Sequence, residues 1–88
     1  MLAVVKIFEY NFEVGAAVWV SSWADAYQVA ENLVLNEFEA RGIDTSGDTK
    51  MILEIQKSIQ AINYYCVNIG GEEGKAVAIQ IIELKEST

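Results

Sequence analysis

The chain has 88 residues, one cysteine, no histidine and a formal net charge of −7. That length makes one domain, and an apolar share of 52% argues against disorder. With no imidazole base, no second thiol for a disulfide and no cluster with metal-ligand spacing, the composition excludes most nucleophilic, disulfide-stapled and metal-dependent functions.

The opening Met1-Leu2-Ala3-Val4-Val5-Lys6 lacks a basic leader and its apolar run stops at Lys6, so no signal peptide is expected. No apolar run reaches the ~20 residues of a membrane span. A single thiol fits a reducing, cytoplasmic setting. Residues 3–20 carry a β pattern. The even positions Val4, Phe8, Tyr10, Phe12 and Val14 are apolar, while Glu9, Asn11 and Glu13 take the other face. Ala16-Ala17-Val18-Trp19-Val20 continues the β character. The chain turns between these runs either at Tyr10-Asn11 or at Gly15, the glycine serving as a turn or a bulge.

A helix follows over about 23–41. Ser22 is its N-cap and Asp25 the capping-box partner. Trp23, Ala26, Tyr27, Ala30, Leu33, Val34 and Phe38 form the apolar stripe. Arg41 complements the dipole in the last turn. Gly42 suits the left-handed position after the helix, with Ile43 folding back toward Phe38. Asp44-Thr45-Ser46-Gly47-Asp48 is a loop.

Residues 49–62 admit two descriptions. As a helix, Ile52, Ile55, Ile59 and Ile62 align, with Asp48 or Thr49 as cap. As a strand, Met51, Leu53, Ile55, Ile59 and Ala61 share a face. The density of isoleucine favours the strand. From Ile62 to Ile69 the chain is β-like, Gly70-Gly71-Glu72-Glu73-Gly74 is a hairpin loop, and a last strand runs from Lys75 to about Leu84. The expected class is α+β: an antiparallel sheet of four to five strands packed on one long helix, order β-β-α-β-β, its third strand long and bent. The alternative adds a second helix at about 49–61.

No reactive constellation is expected to converge. Cys66, within a β pattern, is a small buried hydrophobe without a base to ionise it. Glu72 and Glu73 sit in a glycine-rich loop, and Glu9 and Glu13 lie on the polar face of the first strand region. The 44–48 loop lacks the twelve-residue frame of a calcium site, and the 70–74 loop lacks the lysine and helix of a phosphate site. No catalytic group, cofactor or metal is therefore assigned.

Thirteen acids against six bases argue against direct nucleic-acid binding and against an anionic membrane. They suit a protein partner with a basic surface. The helix carries Asp25, Glu31, Glu37 and Glu39 with no base before Arg41. Asp25 and Glu39 share one outer stripe, and Glu31 flanks the apolar face. Glu37 and Glu39 oppose the dipole at the helix end. The aromatics Trp19, Trp23, Tyr64 and Tyr65 are numerous for so small a core. Tyr64 and Tyr65 point to opposite faces if they lie on a strand. Val5, Ile7, Ala17, Ile52, Ile62 and several positions among residues 76–82 cannot all face one helix, and either Ile81 or Ile82 must point away from the core, so a second, partly apolar sheet face is expected.

These features describe a non-enzymatic module that occupies a partner's surface. Asp25, Glu31 and Glu39 steer it, and Trp19, Tyr64 and Tyr65 anchor it. At the level of class alone, the size, charge and architecture are similar to those of phage- and virus-encoded inhibitors of host machinery, anti-CRISPR proteins among them. The likeness transfers no residue. The alternative is a homodimeric structural or regulatory module that pairs through its sheet face or an edge strand.

Overall fold

A computed structural model describes residues 1–9, 11–68 and 76–85. Tyr10 and the glycine-rich stretch 70–74, both assigned roles from the sequence, lie outside the described residues. The elements in chain order are β1 (Leu2–Phe8), β2 (Glu13–Val20), α1 (Trp23–Ala40), α2 (Thr49–Ile62), β3 (Tyr64–Val67) and β4 (Val77–Glu83). The four strands form one antiparallel sheet in the order β2-β1-β4-β3. This is the expected α+β class, with two adjacent hairpins joined through β1 and β4. The helices carry the chain from one sheet edge to the other and pack on a single face.

Of the two descriptions of residues 49–62 the favoured strand is corrected and the alternative second helix forms, which makes the order β-β-α-α-β-β. Residues 49–62 are helical, and the third strand is a four-residue segment beginning at Tyr64 rather than a long bent one. Asp48 starts α2 by accepting a hydrogen bond from the Met51 N–H at 3.1 Å. Ile55 and Ile59, four apart, are fully buried against the sheet and α1. A β-branched residue costs a helix only about 0.5 kcal/mol, whereas burying an isoleucine side chain contributes about 2 kcal/mol. Burial therefore decides the conformation. Asn63, in the left-handed region at φ 57°, ends the helix, and its carbonyl accepts from the Ile81 N–H on β4.

The helix expected over 23–41 forms with the anticipated ends. Ser22 Oγ accepts from the Asp25 N–H. Gly42, at φ 77°, lets its own N–H reach the Glu39 carbonyl and the Ile43 N–H reach the Phe38 carbonyl. This is the Schellman pattern. Ala26, Ala30, Val34 and Phe38 face the sheet.

Both turn candidates in the first hairpin have a role. The chain reverses between Phe8 and Glu13. Asn11 Oδ1 accepts from the Glu13 N–H, and Phe12 adopts φ 57°. Gly15 is the extra residue of a bulge, because Lys6 pairs with Ala16 but Ile7 with Val14. A Cβ at Gly15 would stand 2.6 Å from the Phe8 ring, so a side chain there would push into its neighbour. Turn and bulge together break the period-two row. Phe12 is 83% exposed, and Val14 moves to the face away from the helices.

The core lies between the sheet and the helices. Leu2 and Val4 from β1, Val77, Ile79 and Ile81 from β4, and Val67 from β3 meet the buried faces of α1 and α2. At its rim, Lys6 Nζ and Arg41 Nη1 converge on the carboxylate of Glu37, at 2.5 and 2.6 Å.

Candidate interaction surface

Residues paired across an antiparallel ladder point to the same face. The face opposite the helices is thus built from Ala3, Val5 and Ile7 on β1, Ala17 and Trp19 on β2, Ala78, Gln80 and Ile82 on β4, and Tyr64 and Cys66 on β3. None of these residues carries a formal charge. Ala3, Val5 and Ala78 form a low floor that their taller neighbours shade almost completely. Trp19 and Ile82 rise beside it, 58% and 37% exposed. Of the adjacent isoleucines, Ile81 joins the core and Ile82 the open face.

Glu9 closes one corner of this face. Its backbone continues β1, with the N–H donating to the Ala76 carbonyl. Its carboxylate accepts from the Tyr64 hydroxyl at 2.8 Å and from Cys66 Sγ at 3.7 Å. β3 and β1 lie on either side of β4, so the Tyr64 side chain must cross β4, where the small Ala78 leaves it room. Burial, then the hydrogen bond to Glu9, push the Tyr64 hydroxyl well above its ordinary range. Burial and the Glu9 charge likewise raise the Cys66 thiol. At neutral pH both groups keep their protons, and the cluster acts as a clasp across β4, between the end of β1 and β3. The expectation that no reactive groups would meet is corrected here, because Glu9, Tyr64 and Cys66 do. That Tyr64 and Cys66 share a strand face was visible in the sequence. The strand order that brings β1 within reach of β3 was not.

The residues named from the sequence do not form one constellation. Trp19 and Asp25 border the same shallow depression, together with Met1, Gln28 and Val29. Glu39 is exposed at the other end of α1 beside Leu35, Ile43 and Ile52, about 21 Å from Asp25 along the helix. Glu31 faces α2 and accepts a 3.0 Å hydrogen bond from Gln56 Nε2, so part of its acceptor capacity ties the helices together. Tyr64 lies on the open face, whereas Tyr65 packs on the core side. Burial and the charge of Glu54 raise the Tyr65 hydroxyl above its ordinary range. Trp23 packs on Tyr27 with ring centroids 5.8 Å apart.

Among the described residues, no group of three or more His, Cys, Asp or Glu side chains could hold a metal ion. No described helix is long and apolar enough to cross a membrane. No protein-family model, curated protein or solved structure matches the chain.

Proposed function

We propose that the chain is a non-enzymatic protein-binding module that acts by covering part of a partner's surface, with the uncovered sheet face as its contact. The observation that carries this is the face itself: a largely apolar sheet surface, charged only at its Glu9 corner, with Trp19 and Ile82 exposed on either side of Ala3 at one end of the strands. Apolar surface of this kind marks interaction sites on small proteins, and tryptophan combines a large apolar body with a polar tip suited to anchoring. Apart from Glu9 at one corner, the described carboxylates lie outside this face, Asp25 and Glu39 on the outer side of α1. In a molecule of net charge −7 they steer a partner that is basic around an apolar contact. An inhibitor of host nucleic-acid machinery, encoded by a phage or virus, is a setting that suits this combination.

The test is affinity capture from cells of the native host, comparing the tagged wild type with Ile82→Lys and Trp19→Ala. The wild type should retain a defined partner. Ile82→Lys, which places a charge on the open face, should lose it while keeping a native circular dichroism spectrum. Undiminished recovery by both variants would remove the sheet face from the proposal.

A further inference from the structure

We propose that β2 is an assembly edge, through which two copies of this chain pair antiparallel over residues 16–20 about a two-fold axis at Val18. Two four-stranded sheets then become one of eight strands. This goes beyond the binding function above and does not depend on it. Pairing uses the backbone edge of β2, whereas partner binding uses the sheet face, and Trp19 borders both.

The two edges of the sheet differ. β3 has only four residues and is entered directly from α2 through Asn63. β2 has eight residues, and most of them are exposed. An edge strand leaves every second backbone N–H and C=O without a ladder partner, and proteins usually blunt such edges with lysine, proline, inward charges or a covering element. β2 has no lysine, no proline and no charge after Glu13. The bulge at Gly15 disturbs only its first residues. From Ala16 to Val20 the register against β1 is unbroken. What remains is a regular, uncharged strand on the outside of a chain of net charge −7.

That lack of charge selects the occupant. A basic strand would find no carboxylate along residues 16–20. A second copy brings another uncharged strand, and so avoids the repulsion that two acidic chains would meet elsewhere. Antiparallel pairing about Val18 sets Trp19 opposite Ala17 and Ala16 opposite Val20. A large side chain meets a small one in each pair, and opposite residues share a face, as cross-strand packing requires. No like charges face each other within the paired stretch. The two-fold axis perpendicular to the sheet puts both helical layers on the same side. α1 packs chiefly on β1 and β4, so the two copies of α1 stand about four strand spacings, ~19 Å, apart. Packed helices approach to about 8–10 Å, so the layers do not collide.

Sedimentation equilibrium on the purified chain, from about 1 μM to about 500 μM, tests the proposal. The wild type should show a monomer–dimer equilibrium. Val18→Lys directs its charge toward the helix side and leaves the open face unaltered. It should weaken association at least about tenfold. If Val18→Lys fails to fold, a cross-linking pair decides. Val18→Cys in a Cys66→Ala background should oxidise to a covalent dimer, because two copies of position 18 face each other across the axis at about 5 Å between Cα atoms. Ala16→Cys in the same background should not, since it faces Val20. A wild type that stays monomeric throughout would overturn the proposal. So would a dimer in which Val18→Cys cross-links no better than Ala16→Cys. Ile82→Lys should still dimerise, which separates failure of the edge from failure of the binding face.

Discussion

Glu37 shows how one side chain reconciles a local conflict with tertiary structure. A carboxylate near a helix C-terminus is opposed by the dipole, and the sequence offered only Arg41 as relief. Lys6 of β1 supplies the second partner, from 31 positions away. Burial alone would push the Glu37 carboxyl up, but Lys6 and Arg41 outweigh it and hold the group below its ordinary value of 4.5. A carboxyl depressed in the folded state stabilises the fold above its unfolded pKa. That stabilisation is lost as pH falls through the folded value. Glu37→Gln should therefore cost about 1–2 kcal/mol at pH 7. The gap to wild type should close as the pH drops below about 4.5, as urea denaturation across pH would show. A gap that persists at low pH would mean that the glutamate contributes through packing instead of charge. Lys6 itself is the one polar residue among the helix-facing positions of β1. Its purpose could not be found locally, because its partner belongs to another element.

At the scale of elements, legibility followed how local the deciding interactions were. α1 could be placed from Ser22 and Asp25 at its start and from Arg41, Gly42 and Ile43 at its end, because every group in those caps lies within a few residues of its partner. α2 could not. Its isoleucines satisfy a helix stripe and a strand face alike, and what separates the two is the depth to which Ile55 and Ile59 sink between α1 and the sheet. The helical placement makes a paired prediction. Ile55→Ala should cost about 2–4 kcal/mol, whereas Ile62→Ala should cost less than about 0.5 kcal/mol, because Ile62 is 64% exposed. Chemical denaturation of the two variants would check it, and comparable losses would contradict the burial that defines α2. The first hairpin was legible in its two candidates but not in their joint use. A turn at Asn11-Phe12 and a bulge at Gly15 together move Val14 across the sheet. The open face was foreseeable as a surplus of apolar residues, but its membership required the strand order.

Across the whole molecule, charge and apolar surface are segregated. Among the described residues, the acids occupy the helices, the 44–48 loop and the strand ends, while the open sheet face away from its Glu9 corner and the regular part of β2 are neutral. The two proposed associations consequently respond to salt with opposite signs. Two copies of net charge −7 repel, so self-association should tighten between about 50 mM and about 500 mM salt as screening grows. Binding to a basic partner should weaken over the same range. Measuring both on one preparation separates them, and a dimer that dissociates in high salt would contradict an uncharged interface. The sheet order also has a consequence for biosynthesis. Of the four described strands, the two at the centre, β1 and β4, are the first and last to be made. While the ribosome works through the intervening residues, the nascent β1–β2 hairpin exposes both of its margins, and Val4 waits for Ile81. Cooperative closure comes only after translation has passed β4. Until then neither margin of that hairpin has a strand of its own sheet beside it.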